Sequence, residues 1–103
     1  MDVQRKKGVL EICVLSALTK EPSYGYKIVS DVSSCIEISE STLYPILRRL
    51  ESAKAVSTYV VEHHGRLRHY YRIEEEGKKK IAEFLLEERE MRRIYDYVEG
   101  NQR

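Results

Sequence analysis

The sequence predicts a mainly α protein with one small β-hairpin. Three observations carry this. Apolar residues recur at helical spacing, most clearly Leu43, Ile46, Leu47 and Leu50 at i, i+3, i+4 and i+7. Between residues 55 and 73 the pattern changes to two runs rich in β-branched and aromatic residues around His63-His64-Gly65-Arg66. In the last segment, Gly77, Ile81, Phe84, Glu88, Met91, Tyr95 and Val98 step by four and three, a heptad seam with one charged interruption that indicates helix-on-helix packing between chains. A chain of 103 residues is most simply one small domain with an appended helix, divided at 1–73 and 74–103. So short a chain buries a modest share of its surface, which favours oligomers.

The first helix is read over residues 4–19. Val9, Leu10, Ile12, Cys13, Val14, Leu15, Ala17 and Leu18 occupy nearly every face, and a helix apolar all round must be covered on all sides. That points to a second chain for part of the cover. Glu21-Pro22-Ser23 breaks the helix, and Ser23 reads as the N-cap of a second helix from Tyr24 to about Val32. Gly25 inside it costs about 1 kcal/mol relative to alanine, which close approach to a neighbouring helix would offset. Residues 33–38 form a loop.

The third helix starts at Ser39 or Ser41 and ends near Ala53. Opposite its apolar stripe lie Ser41, Thr42, Tyr44, Pro45, Arg48 and Arg49. Proline lacks an amide and crowds the carbonyl four residues back, here that of Ser41, at a cost of about 3 kcal/mol in mid-helix. Near the helix start much of that loss is avoided, because the early backbone groups are not fully paired. Strands at residues 56–62 and 67–73 then form the hairpin, and a long helix runs from Glu74 to about Val98.

Charge is uneven. The net charge is +1, but from Ser41 to Arg72 six Lys and Arg face two Glu, giving +4, while from Glu74 to Arg103 nine acids face seven bases, giving −2. A basic middle suggests a polyanion for that half alone. Cys13 and Cys35 lie 22 positions apart, neither a zinc spacing nor a disulfide framework, so a reducing cytoplasm is expected. Arg5-Lys6-Lys7 before an apolar run imitates a signal peptide, yet Glu11 interrupts it and no small-residue cleavage site follows; no membrane segment is expected. His63 and His69 could face each other across the hairpin, but no acid or cysteine is placed with them. Neither a metal nor a cofactor is expected, and no nucleophile–base pair or glycine-rich phosphate loop points to an enzyme.

Three helices followed by a basic hairpin is the order of a winged helix-turn-helix, whose third helix enters the DNA major groove by its N-terminal end. Ser41, Thr42 and Tyr44 offer hydroxyls to phosphates, Pro45 an apolar edge, and Arg48 and Arg49 cations for phosphate or guanine. Arg66 and Arg68 flank the hairpin turn, where a wing reaches the minor groove or its phosphates. A protein-binding winged helix without DNA is the alternative, but it has little need for four arginines on one side.

With Tyr24-Gly25-Tyr26-Lys27-Ile28, the run from Ser41 to Glu51 (STLYPILRRLE), Tyr71-Arg72-Ile73 and Glu75-Glu76-Gly77, the chain resembles the PadR family of bacterial transcriptional regulators over about residues 7–98. The resemblance implies a homodimeric repressor, often responsive to small aromatic or cytotoxic compounds. It implies that Ser41, Thr42, Tyr44, Pro45 and Arg48 face double-stranded DNA, with Arg66 and Arg68 in the wing. It also implies that the last helix packs on the partner's first helix. Dimerisation is accordingly assigned to Leu10, Val14, Ile81, Phe84, Met91, Tyr95 and Val98, and an aromatic effector would meet Phe84, Met91 and Tyr95. The chain departs from the family pattern at Ser41 and Lys54, where glycine is usual, at Glu74, usually a capping threonine, and at Leu67, often proline.

Overall fold

Asp2 starts the first helix by accepting the Arg5 amide on Oδ1 at 2.8 Å. In the computed structural model, which describes residues 1–103, this helix is α1 (Val3–Ala17). It is followed by β1 (Ser23–Tyr24), α2 (Gly25–Ser33), α3 (Glu40–Ser52), β2 (Val56–His63), β3 (Arg66–Ile73) and α4 (Glu75–Gly100). Mainly α with a small sheet is therefore the architecture.

α1, α2 and α3 enclose the core with the base of the hairpin. Val14, Leu15, Leu18, Ile28, Leu43, Leu47 and Leu50 are all almost completely buried there. Much of the cover for α1 comes from its own chain, because α2, α3 and α4 all pack on it. Apolar residues on every face thus do not by themselves require a second chain.

Ser23 corrects a sequence expectation. It does not cap α2; it pairs with Tyr71 as part of β1, and the cap position belongs to Tyr24, whose side chain makes no capping bond. β1 adds a third strand to the hairpin, in the order β1-β3-β2, all antiparallel. Ser23 is 2% exposed and its Oγ has no hydrogen-bond partner.

The hairpin turns on His64 and Gly65, both at positive φ (51° and 77°), as a two-residue turn that matches the twist of its strands requires. Its register places His63 opposite Arg66 and His69 opposite Val60. His63 and His69 therefore do not face each other, and no cluster of three metal-ligating side chains forms anywhere.

α3 closes with Lys54 at φ 60°, while the Ala55 amide donates to the Leu50 carbonyl and the Lys54 amide to that of Glu51. This is a Schellman ending with lysine where glycine is favoured. α4 then leaves the body. Gly77 is its only buried residue, Ile81, Phe84 and Glu88 are half-buried beside α1, and everything beyond residue 90 is exposed. The molecule measures 62 × 25 × 22 Å, with a radius of gyration of 16.2 Å. A compact chain of this length has about 13 Å. No helix is long and apolar enough to cross a membrane.

Candidate nucleic-acid interface

The start of α3 is a small network of hydroxyls. Ser39 caps the helix, its Oγ accepting the Thr42 amide at 3.3 Å, and it also lies 3.2 Å from Thr42 Oγ1 and 3.0 Å from Ser41 Oγ. Ser41 and Thr42 are exposed at this positive helix end. Pro45, the sixth helical residue, offers no amide to the carbonyl of Ser41, itself an exposed residue.

Tyr44 is 39% exposed, and its phenol lies directly over Gly25. A Cβ at Gly25 would collide with the hydroxyl and sit 2.9 Å from Cζ, so the close approach expected of Gly25 is to this side chain. Behind it stands Tyr71, whose hydroxyl pKa is pushed up by burial first and by the neighbouring Tyr44 and Glu51 next, with Arg48 opposing. Thr58 Oγ1 donates to Glu51 Oε2 at 3.0 Å, tying the far end of α3 to β2.

Between α3 and the hairpin runs an open cleft of about 610 Å³. Glu40 and Tyr44 line it from α3 and Gly25 from α2, while Arg66, Arg68, His69 and Tyr71 line it from β3. Arg48 and Arg49 stand exposed on α3 outside it. None of the five ion pairs involves Arg48, Arg49, Arg66 or Arg68, so all four cations are unpaired, two lining the cleft and two exposed on α3.

The hairpin also carries a feature that sequence reasoning missed. Tyr24, Tyr70 and Tyr59 form one row across β1, β3 and β2. Tyr59 and Tyr70 stack at 5.4 Å, and Tyr24 meets Tyr70 edge-on at 5.5 Å. The Arg68 guanidinium lies 4.1 Å from the Tyr24 ring and that of Arg72 4.8 Å from Tyr59. Arg68 is thus half-buried, whereas Arg66, opposite His63, is free at the tip.

The residues assigned to dimerisation divide. Leu10 and Val14 lie inside the chain's own core, 6% and 0% exposed. A partner helix has no access to such side chains, so their assignment to the interface is corrected to core packing. Phe84 and Met91 line an open groove of about 580 Å³ between α1 and α4. The Tyr95 hydroxyl accepts from Arg5 Nη2 at 3.2 Å, and Ile81 packs on the core. Met91, Ile94, Tyr95 and Val98 form an apolar stripe that the chain leaves largely uncovered, 37–52% exposed.

The family model described as the transcriptional regulator PadR-like family matches residues 14–83. The chain belongs to the PadR-like family. A solved protein of Streptococcus mutans UA159, smu.1704, is 40% identical and superimposes with a TM-score of 0.76 over 91% of this chain and 90% of that one. A PadR family transcriptional regulator from Eggerthella lenta DSM 2243 is 33% identical, with a TM-score of 0.74 over 95% and 85%. The fold also matches Bacillus subtilis PadR solved in complex with operator DNA, at 22% identity and a TM-score of 0.68, covering 75% of this chain and 46% of that one. This PadR-like chain is accordingly a transcriptional regulator and not an enzyme.

Proposed function

We propose that this PadR-like chain is a homodimeric DNA-binding repressor of the cytoplasm, with residues 1–73 as the reading unit and 74–103 as the dimerising helix. The observation that carries the DNA reading is a set of cations without ion-pair partners, Arg66 and Arg68 lining one open cleft and Arg48 and Arg49 exposed on α3. In this reading the start of α3 enters the major groove. Ser41, Thr42 and Tyr44 hydrogen-bond phosphates, Pro45 touches a thymine methyl or a sugar, and Arg48 and Arg49 hold phosphate or guanine. A phosphate strand passes along the cleft, and Arg66 reaches the flanking groove.

The uncovered stripe on α4 supports the dimer. The chain exposes 7684 Å², against about 6,000 Å² for a compact monomer of this mass. The excess, about 1,700 Å² for one chain, is more than the roughly 800 Å² that each partner gives to a standard protein interface. Two reading heads about one helical turn apart then match an inverted-repeat operator and block transcription by occupying it. An aromatic effector seated in the α1–α4 groove would release DNA by changing the angle between the heads.

The test is titration of the protein into duplex DNA from its own upstream region at two salt concentrations. Steep weakening with salt is expected from phosphate contacts. No binding at low salt sinks the DNA reading and leaves a protein-interaction module.

A further inference from the structure

The chain's two cysteines, 22 positions apart in sequence, meet in space. Cys13, half-buried on α1, and Cys35, exposed just after α2, line one small cleft of about 200 Å³ with Ser16, Ala17, Asp31 and Val32. Cys35 is fixed in the turn by its amide, which donates to the Val32 carbonyl at 2.9 Å. The pKa of the Cys13 thiol is pushed up by burial first and then by the neighbouring Cys35 thiol.

Position gives the pair a consequence. Cys35 lies four residues before Ser39, the cap of α3, and Cys13 lies on the helix against which α4 packs. A bond between them would tie the turn that delivers α3 to the helix beneath the dimerising arm.

We propose that Cys13 and Cys35 form a redox-sensitive pair, oxidised by hydroperoxides to an intramolecular disulfide that weakens DNA binding by shifting the start of α3. The exposed Cys35 reacts first. Its thiolate attacks the outer peroxide oxygen, the O–O bond breaks, and the departing oxygen takes up a proton to leave as alcohol or water. Cys35 is now a sulfenic acid. Cys13 loses its proton, attacks the Cys35 sulfur, and expels the hydroxyl as water. Two thiols give up two electrons in all, and one hydroperoxide is reduced. The bond itself stands apart from the DNA reading; its effect on affinity rests on that reading.

The test uses the full chain with hydrogen peroxide, followed by thiol alkylation and intact mass. The expected product has lost two hydrogens, carries no alkyl group, yields a linked Cys13–Cys35 peptide and reverts with dithiothreitol. In Cys13→Ser, Cys35 should stop at a sulfenic acid that dimedone traps, whereas Cys35→Ser should leave Cys13 as a thiol. Two alkylated thiols, or bonds only between chains, would overturn the site. Oxidised protein should bind its upstream duplex about tenfold more weakly, within the usual range of coupling between sites, and Cys35→Ser should abolish the difference. A disulfide that forms without changing affinity overturns the switch. Reduced protein that ignores DNA overturns the DNA reading and with it the switch, while the disulfide assay still decides the bond.

Discussion

Gly77→Ala separates what a helix wants from what this fold permits. Gly77 is the third residue of α4, and alanine there raises helix propensity by up to about 1 kcal/mol. An added Cβ, however, would stand 2.5 Å from the Ala55 carbonyl oxygen, 2.8 Å from Ile73 Cγ1 and 3.1 Å from Leu15 Cδ2. The carbonyl cannot easily retreat. It accepts the Glu74 amide at 2.9 Å, and the Ala55 amide is itself bonded to Leu50 at 2.8 Å in the ending of α3. Overpacking of a fixed core costs about 1–3 kcal/mol, and a strained backbone hydrogen bond adds about 1 kcal/mol. After subtracting the gain in propensity, the net loss is roughly 2 kcal/mol. For about 100 residues each kcal/mol shifts Tm by about 4–8 °C, so the midpoint should fall by roughly 8–16 °C. Thermal unfolding followed by far-ultraviolet circular dichroism, at one fixed protein concentration, measures it. An unchanged or higher midpoint would mean that α4 does not seat against Ala55, and the proposed relation of arm to body would fail with it.

Ser23→Ala should raise stability by about 1 kcal/mol in denaturant unfolding, because it removes a buried hydroxyl without a partner; a cap serine would lose that amount. Lys54→Gly should add about 0.5–1 kcal/mol by relieving the left-handed lysine, measured by the same titration. Arg48→Ala should weaken DNA binding and flatten the salt dependence by about one phosphate contact while leaving Tm unchanged; an equal fall in Tm would mean that the side chain supports the fold. Met91→Asp, on the uncovered stripe, should give monomers in analytical ultracentrifugation without loss of helical signal; persistent dimers would move the interface elsewhere.

The legible parts of this fold were those with local causes. The stripe Leu43, Ile46, Leu47 and Leu50 announced α3, all four residues are buried, and Ser39 caps it within the stated choice of start. His63-His64-Gly65-Arg66 marked the turn, and the structure narrows it to His64 and Gly65, both at positive φ. What failed was non-local. β1 has only two residues, too few for any periodicity, and its serine before a helix looked like a cap until pairing with Tyr71 placed it in a sheet. The tyrosine row unites positions 24, 59 and 70, and the cysteine cleft joins 13 and 35; neither spacing carries a pattern. The four-and-three rhythm of α4 indicated packing between chains, but periodicity cannot say whose helix covers it. Its first part, to about Glu88, rests beside the chain's own α1.

β1 changes how the cleft should be understood. A two-stranded hairpin alone is at best marginally stable in water, and its tip would wander relative to α3. Here Ser23 and Tyr24 bond β3 to the chain immediately before α2, while Gly25, the very next residue, receives the ring of Tyr44 from α3. Three consecutive residues thus hold both walls of the cleft, one through backbone pairing and the other through a contact only glycine allows. Arg68, resting on Tyr24, extends the same frame into the wing. A rigid frame of this kind lowers the ordering cost of gripping a ligand that touches both walls at once. It follows that Ser23-Tyr24-Gly25, although none of it lies on α3, governs the spacing between the helix and the wing. Substitutions there should alter affinity for a duplex spanning both walls more than affinity for any ligand held by one.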